Sequence, residues 1–175
     1  SLQNIEFLYG FGVYENIRAV DGVPRFVDDH IDRLFHSAEI IALDHPFSKA
    51  DIAMWVHAII KESKADALNI KILLLGGKTA ADAQCYIFPL APKFLDKNLY
   101  RDGVRTITVS YERPFPEAKT LGMIGSYIAY KKAQNVGAYD ALLLNHRGCF
   151  TEGTRTNLFF LNGKTIISAP KAEIL

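Results

Sequence analysis

Cysteine is scarce in this chain. Cys85 and Cys149 are the two in 175 residues, and they have neither the spacing of a metal site nor a disulfide framework. Both read as reduced thiols, which is the expectation for a cytoplasmic protein. Net charge is nearly absent as well. The formal balance is +1, with the two signs well mixed, so no electrostatic case exists for nucleic acid or an anionic membrane. No apolar run reaches the ~18 residues that a membrane span needs, and no signal-peptide pattern is visible. Lys78 lies beside two glycines, but GxxxxGK[ST] is missing, which removes a phosphate loop of that type. There is no internal repeat and no low-complexity segment. What remains is ample apolar material, 49% of residues, enough for a substantial core in one compact domain or two small ones.

Periodicity divides that material. Val13, Glu15 and Ile17 alternate with Tyr14, Asn16 and Arg18, which predicts a strand. Asp21-Gly22 marks a turn, and residues 23–27 read as the returning strand. Ile31, Leu34, Phe35, Ala38, Ile41 and Ala42 predict a helix over 28–42, with Asp28 or Asp29 as cap. His30, Arg33 and Ser37 form a polar stripe beside the apolar one, and such a stripe is ordinarily solvated. Ser48 with Asp51 approximates a capping box before a second helix carrying Ile52, Trp55, Val56, Ile59 and Ile60. Residues 69–75 and 85–90 read as buried strands joined by GGKTAADAQ, and residues 89–98, with two prolines, read as a linker.

Beyond it, 106–111 is a predicted strand and 123–136 a helix packing through Tyr127, Ile128, Ala129 and Ala133, with Gly137 at its C-terminal cap. Strands follow at 141–144, 149–152, 157–161 and 164–168, the last two joined by an Asn162-Gly163 turn. Helices and strands mix without a strict βαβ rhythm, so the predicted class is α+β. The domains are a small one over residues 1–92 and a larger one over residues 98–175.

Lys119 sits between a Pro-rich turn and the 123–136 helix, and Glu152 ends a strand just before Gly-Thr-Arg-Thr-Asn. Either alone is ordinarily a surface charge. Together, and in order, PEAKTL, GAYDALLLN and TEGTRTNLF resemble the class IV pyridoxal-phosphate enzymes of fold-type IV. These are branched-chain aminotransferase, D-amino acid aminotransferase and aminodeoxychorismate lyase. FLYGFGVYENIR followed by HIDRL is similar to the opening motifs of the same family.

The resemblance implies a two-domain fold-type IV protein with pyridoxal 5'-phosphate as cofactor. It assigns Lys119 to the cofactor aldehyde and to the proton at the substrate α-carbon. Glu152 would face the pyridine nitrogen and keep it protonated. Arg33 would hold the phosphate through its planar fork, with His30 in support. Arg155 and Thr156 would approach the cofactor, and Asn157 would fix their turn. The implied reaction is ping-pong transfer of an amino group from an amino acid, branched-chain-like or of D configuration, to a 2-oxo acid. The alternatives are aminodeoxychorismate lyase, giving 4-aminobenzoate and pyruvate, and a non-catalytic remnant of the fold. A homodimer is implied too.

Several positions depart from the family pattern. Asn4-Ile5-Glu6 stands where an Asp-Arg-Gly is usual, Phe11 replaces an aspartate, and Gly122 replaces an asparagine. Asn69-Ile70-Lys71 replaces a Tyr-x-Arg, and the GGKTAADAQ loop lacks the Arg and His of the D-amino acid enzyme. Lys71, Lys78 and Arg155 are the candidate replacements for the lost carboxylate clamp. The family's Gly-Ile/Val-Thr turn, whose amides complete a phosphate site, is not reached by Leu175, and Ser1 opens the sequence. The expectation is a piece of a longer polypeptide.

Overall fold

A computed structural model describes residues 5–175. Ser1 and Asn4, which enter the sequence reading, lie outside the described residues. The chain forms two compact units. One runs up to Phe94 and also takes in Ala118–Leu121, and the other comprises Leu95–Glu117 and Gly122–Leu175. Lys119 therefore belongs with the first unit, although it lies within the 98–175 span expected to form a separate domain.

The first unit opens with a short helix α1 (Ile5–Leu8). Strands β1 (Gly12–Val20), β2 (Val23–Pro24), β3 (Ala67–Leu75) and β4 (Gln84–Leu90) then make one antiparallel sheet in the order β2-β1-β3-β4. Helices α2 (Val27–Ile40) and α3 (Lys49–Ser63) supply the rest of the core. On β1 the inward residues are Val13, Glu15, Ile17 and Ala19, and on β3 they are Leu68, Ile70, Ile72 and Leu74. Period-two alternation puts Tyr14, Asn16 and Arg18 on the other face, level with Leu73, Lys71 and Asn69. The buried aliphatics pack with Ile31, Leu34, Ala38, Ile52, Val56 and Ile60 of the helices.

Three local expectations change here. α2 is capped by Phe26, a non-glycine residue with φ of 52°, and no side chain caps it. Asp28 and Asp29 lie in the first turn, where their charge complements the helix dipole. β4 is an edge strand whose alternate residues are exposed, not a buried strand, and Pro89 is tolerated there because an edge can forgo an N–H. The expected linker runs into a helix, α4 (Lys97–Asp102), capped by the Asp96 side chain. By contrast, α3 has the full capping box of Ser48 and Asp51.

In the second unit β5 (Thr106–Ser110), β6 (Asp140–Leu144) and β7 (Phe150–Gly153) form a mixed sheet in the order β5-β6-β7. β5 and β6 are parallel, joined through α5 (Ile124–Asn135), while β6 and β7 are antiparallel. The core is made of small residues: Ala129, Ala133, Ala138 and Ala141 with Leu143. Tyr127 and Ile128, expected to pack, are about half exposed, and Ser126 takes the inward place. Gly137 follows the helix with φ of 69°, as its cap position requires.

A hairpin of β8 (Phe160–Asn162) and β9 (Thr165–Ile167) comes last. Asn162 pairs with Thr165, so its turn is Gly163-Lys164, one residue beyond the expected Asn162-Gly163. Among the described residues no helix is long and apolar enough to cross a membrane, and no group of side chains has the makings of a metal site.

Candidate functional site

In the first unit Lys119 is held by its backbone. Its carbonyl accepts from the Tyr14 N–H at 2.9 Å, and its own N–H donates to Ser37 Oγ at 3.0 Å. Leu121 N–H donates to the Gly12 carbonyl at 2.9 Å, and Val13 bridges Thr120 in antiparallel fashion. Residues 119–121 thus continue the sheet along one edge of β1. Gly12 permits this approach: a Cβ there would lie 2.8 Å from Leu121 Cδ1 and 2.8 Å from the Leu74 carbonyl oxygen. A backbone fixed at both ends of one residue limits where its side chain can reach. Lys119 Nζ lies 5.0 Å from the centroid of the Tyr14 ring.

Glu15 is the centre of this part of the site, and the sequence reading did not single it out. Its alternation with Val13 and Ile17 was the available signal, since that pattern turns its carboxylate inward. It is fully buried. Arg33 Nε donates to Oε1 at 2.5 Å and Arg33 Nη2 donates to Oε2 at 2.9 Å, while His30 Nδ1 lies 2.8 Å from Oε2. Burial pushes the Glu15 carboxyl up, but the hydrogen bonds from His30 and Arg33 and the charges of Arg33 and Lys119 outweigh it, so the net shift is downward. The same pairing raises the Arg33 guanidinium against the opposing effect of burial.

The polar stripe of α2 is therefore not a solvated face. His30 and Arg33 satisfy a buried carboxylate, and Ser37 fixes the Lys119 backbone. The guanidinium fork that the resemblance assigns to a phosphate is occupied by Glu15. Nη1 is the edge left over, on a side chain 38% exposed.

The second unit contains Glu152, at the end of β7. Its Oε1 accepts from Arg113 Nη1 at 2.9 Å, with side-chain exposures of 7% and 8%. A small cavity of about 30 Å³ adjoins the pair, lined also by Glu112, Asn145, Thr151 and Glu173. The turn after Glu152 is tied down by Asp140. Thr154 Oγ1 makes a short hydrogen bond to Asp140 Oδ1, and Thr156 Oγ1 donates to Oδ2 at 3.3 Å. Gly153 N–H donates to the Thr156 carbonyl at 2.7 Å. A Cβ on Gly153 would lie 2.2 Å from Thr156 Oγ1, so a side chain there would displace the Thr156 hydroxyl. Asn157, expected to fix this turn, is exposed and contributes none of these bonds. Arg155 is exposed, with its guanidinium carbon 3.9 Å from the centroid of the Tyr130 ring.

The structure thus assembles Lys119, Arg33 and His30 around Glu15 in one unit, and Glu152, Thr156 and Arg155 along one strand end and turn in the other. Of the clamp candidates, Lys71 stands in the first unit, 4.0 Å from the same Tyr14 ring centroid that Lys119 approaches, whereas Lys78 is exposed in the β3–β4 loop. Taken unit by unit, the first offers an amine and a guanidinium edge and the second a carboxylate held by an arginine, groups of the kind a phosphorylated pyridine aldehyde would engage.

The amino-transferase class IV family model matches residues 12–175. A Methanocaldococcus jannaschii protein named as a branched-chain-amino-acid aminotransferase is 32% identical, over 93% of this chain and 60% of its own length. A D-alanine aminotransferase of Bacillus licheniformis is 26% identical, over 97% of this chain and 62% of its own. An aminodeoxychorismate lyase of Bacillus subtilis is also similar, at 26% over 91% of this chain. Among solved structures, a T.th. branched-chain amino acid aminotransferase with pyridoxamine 5'-phosphate superposes with a TM-score of 0.89 at 25% identity, over 100% of this chain and 64% of that one. The chain spans about three fifths of the length of the curated relatives it matches. Its α+β fold is that of the fold-type IV enzymes, and the chain belongs to the class IV aminotransferase family.

Proposed function

We propose that the chain is the part of a pyridoxal 5'-phosphate-dependent aminotransferase that carries the reactive lysine, and that the enzyme moves an amino group from an amino acid to a 2-oxo acid. The observation that carries this reading is the backbone of Lys119, pinned at its N–H and its carbonyl beside the Glu15–Arg33 pair. The cofactor would supply an aldehyde for an amine to engage and a ring that withdraws electrons from the substrate α-carbon. Lys119 would be the group that takes and returns the proton at that carbon. Arg33 would hold the phosphate through Nη1 while Glu15 holds the rest of its guanidinium. Glu152, held by Arg113 at 2.9 Å, would accept from the ring nitrogen. Arg155 and Thr156 contribute further donors.

A branched-chain and a D-alanine aminotransferase among the relatives support an amino donor that is branched-chain-like or of D configuration. The lyase relative supports a second reading, loss of pyruvate from aminodeoxychorismate. We place the enzyme in the cytoplasm on its two free thiols, and read it as a homodimer on the exposed Tyr86, Phe88 and Leu90 of edge strand β4. Equilibrium sedimentation of the full-length protein tests the dimer.

Borohydride reduction of the full-length protein, followed by peptide mass analysis, should leave a phosphopyridoxyl group on Lys119. An unlabelled Lys119 would reduce the chain to a scaffold of the same fold. Pyruvate released from aminodeoxychorismate without a 2-oxo acid acceptor would select the lyase. Turnover of L- or D-donors that requires an acceptor would select the transaminase.

A further inference from the structure

A cleft of about 580 Å³ opens at the end of the first unit's sheet that lies away from Lys119. Residues 119–121 join β1 at its Gly12 end. The cleft lies at the other end of the same ladder, beside the β1–β2 turn, where Val20 pairs with Ala67. Tyr14, Glu15, Arg33 and Lys119 take no part in its lining.

The lining carries both signs of charge. His57, Lys61 and Lys64 follow one another at i, i+4 and i+7, so one side of α3 presents them over a length of about 10 Å. Asp21 comes from the β1–β2 turn and Asp66 from the residue before β3. The Asp21 N–H donates to the Asp66 carbonyl at 2.7 Å, which keeps the two acids side by side. Ile60, only 6% exposed, supplies an apolar floor. Two lysines and two aspartates thus border one cleft, yet among the described residues none of the four enters an ion pair. Lys64 adds a second sign of use. It ends α3 with φ of 49°, in the left-handed region where glycine is the usual residue. Lysine accepts strain there that glycine would avoid, and in exchange it brings an ammonium to the cleft.

We propose that this cleft is a binding site for a free α-amino acid, taken as its zwitterion and held apart from the Lys119 neighbourhood. The two ammonium groups and the two carboxylates cancel, so neither a simple anion nor a simple cation is favoured: each would meet two like charges. A ligand that carries both signs finds a partner at each end. Lys61 and Lys64 donate to its carboxylate, with the His57 ring beside them, and Asp21 and Asp66 accept from its ammonium. The volume falls in the range of small-molecule sites, and Ile60 gives a short side chain an apolar surface to rest on.

The test uses the full-length protein after borohydride treatment, which fixes any carbonyl cofactor on Lys119 so that an amino acid cannot exchange with it. The probe is α-aminoisobutyrate, a zwitterion with no α-hydrogen to lose. Amide nitrogen–proton spectra are followed as it is added to about 20 mM, within the range of a weak ligand with few contacts. The amides of Gly22, Lys64, Ala65 and Asp66 should shift and saturate, while acetate or methylammonium at the same concentration should leave them in place. Lys61→Gln with Lys64→Gln, and separately Asp66→Asn, should weaken binding about tenfold or more, the loss of one charge-assisted contact. Glu62→Gln, an exposed change on the same helix outside the lining, should not alter it. All these side chains are exposed, so the fold should tolerate each change. Amides that do not respond to α-aminoisobutyrate overturn the proposal. So does an equal response to acetate, or binding that survives both sets of charge removal. None of these outcomes depends on whether Lys119 is the reactive amine, so this site and the functional reading fail separately.

Discussion

Each compact unit buries one carboxylate against an arginine, and the two pairs are built for different work. In the first unit Glu15 is sealed among aliphatic side chains and takes four hydrogen bonds, two from Arg33, one from His30 and one from the Asn16 N–H. Its arginine is half exposed and keeps Nη1 for another partner. In the second unit the roles are reversed. Arg113 is as buried as Glu152 and donates from Nη1 to its Oε1. The first pair presents a cation and the second presents an anion. A buried charge needs a partner in both cases, but which member is fully satisfied decides which one remains available to a ligand.

The surroundings differ in the same sense. Val13, Ile17, Ile70, Ile72 and Leu74 pack the first core, whereas the second rests mainly on alanines under α5 and leaves Phe160, Leu161, Ile166 and Ile167 of its hairpin exposed.

The largest expected effect separates the two pairs by function. Glu152→Ala should lower the turnover of the full-length enzyme by roughly two to four decades, because loss of one partner of a buried ion pair costs about 3–5 kcal/mol and each ~1.4 kcal/mol is tenfold in rate. Steady-state kinetics decide it, and near-parental turnover would remove Glu152 from the chemistry.

Glu15→Ala should act on stability first. Arg33 and His30 lose their common partner, at a cost of about 3–5 kcal/mol in urea unfolding, and Glu15→Gln, which preserves the shape, should lose less. An equal loss in both would mean that charge is not what Glu15 contributes.

A smaller effect lies in the acid limb. The Glu15 carboxyl is held below its ordinary 4.5 in the fold, so its contribution is complete above about that pH. As pH falls through the folded value, the contribution disappears, because the unfolded chain binds the proton first. The stability gap between the parent and Glu15→Gln should therefore close with acidification below 4.5. His45 acts in a higher window. Burial between Phe35 and Phe47 lowers it from 6.5, so stability should decline as pH drops from 6.5 toward the folded value, and His45→Phe should flatten that decline.

The smallest effect contrasts the two thiols. Burial pushes Cys85 up to about 11, and Cys149 is exposed. Iodoacetamide at pH 8 should label Cys149 and spare Cys85, as read by intact and peptide mass.

Much of this architecture was legible residue by residue. The Ser48–Asp51 box announced α3, Asp21-Gly22 announced the β1–β2 turn, and the motifs around Lys119 and Glu152 pointed to the family. Errors fell where local signals compete. Asp28 and Asp29 look like caps but lie inside the first turn, and Tyr127 and Ile128 look like core although Ser126 and two alanines take that face. Asn162-Gly163 is a strong turn signal, yet strand pairing moved the turn by one residue.

The order of residues alone determined that β1 turns a carboxylate inward at Glu15 and that α2 carries His30, Arg33 and Ser37 on one stripe, since both follow from the repeat of a single element. Tertiary structure alone decided that the stripe and the carboxylate meet, that Lys119 extends the edge of β1 rather than standing with its chain neighbours, and that Lys71 shares its aromatic ring. Those are contacts between residues distant in sequence, set by how strands pair and helices pack, and no local period encodes them.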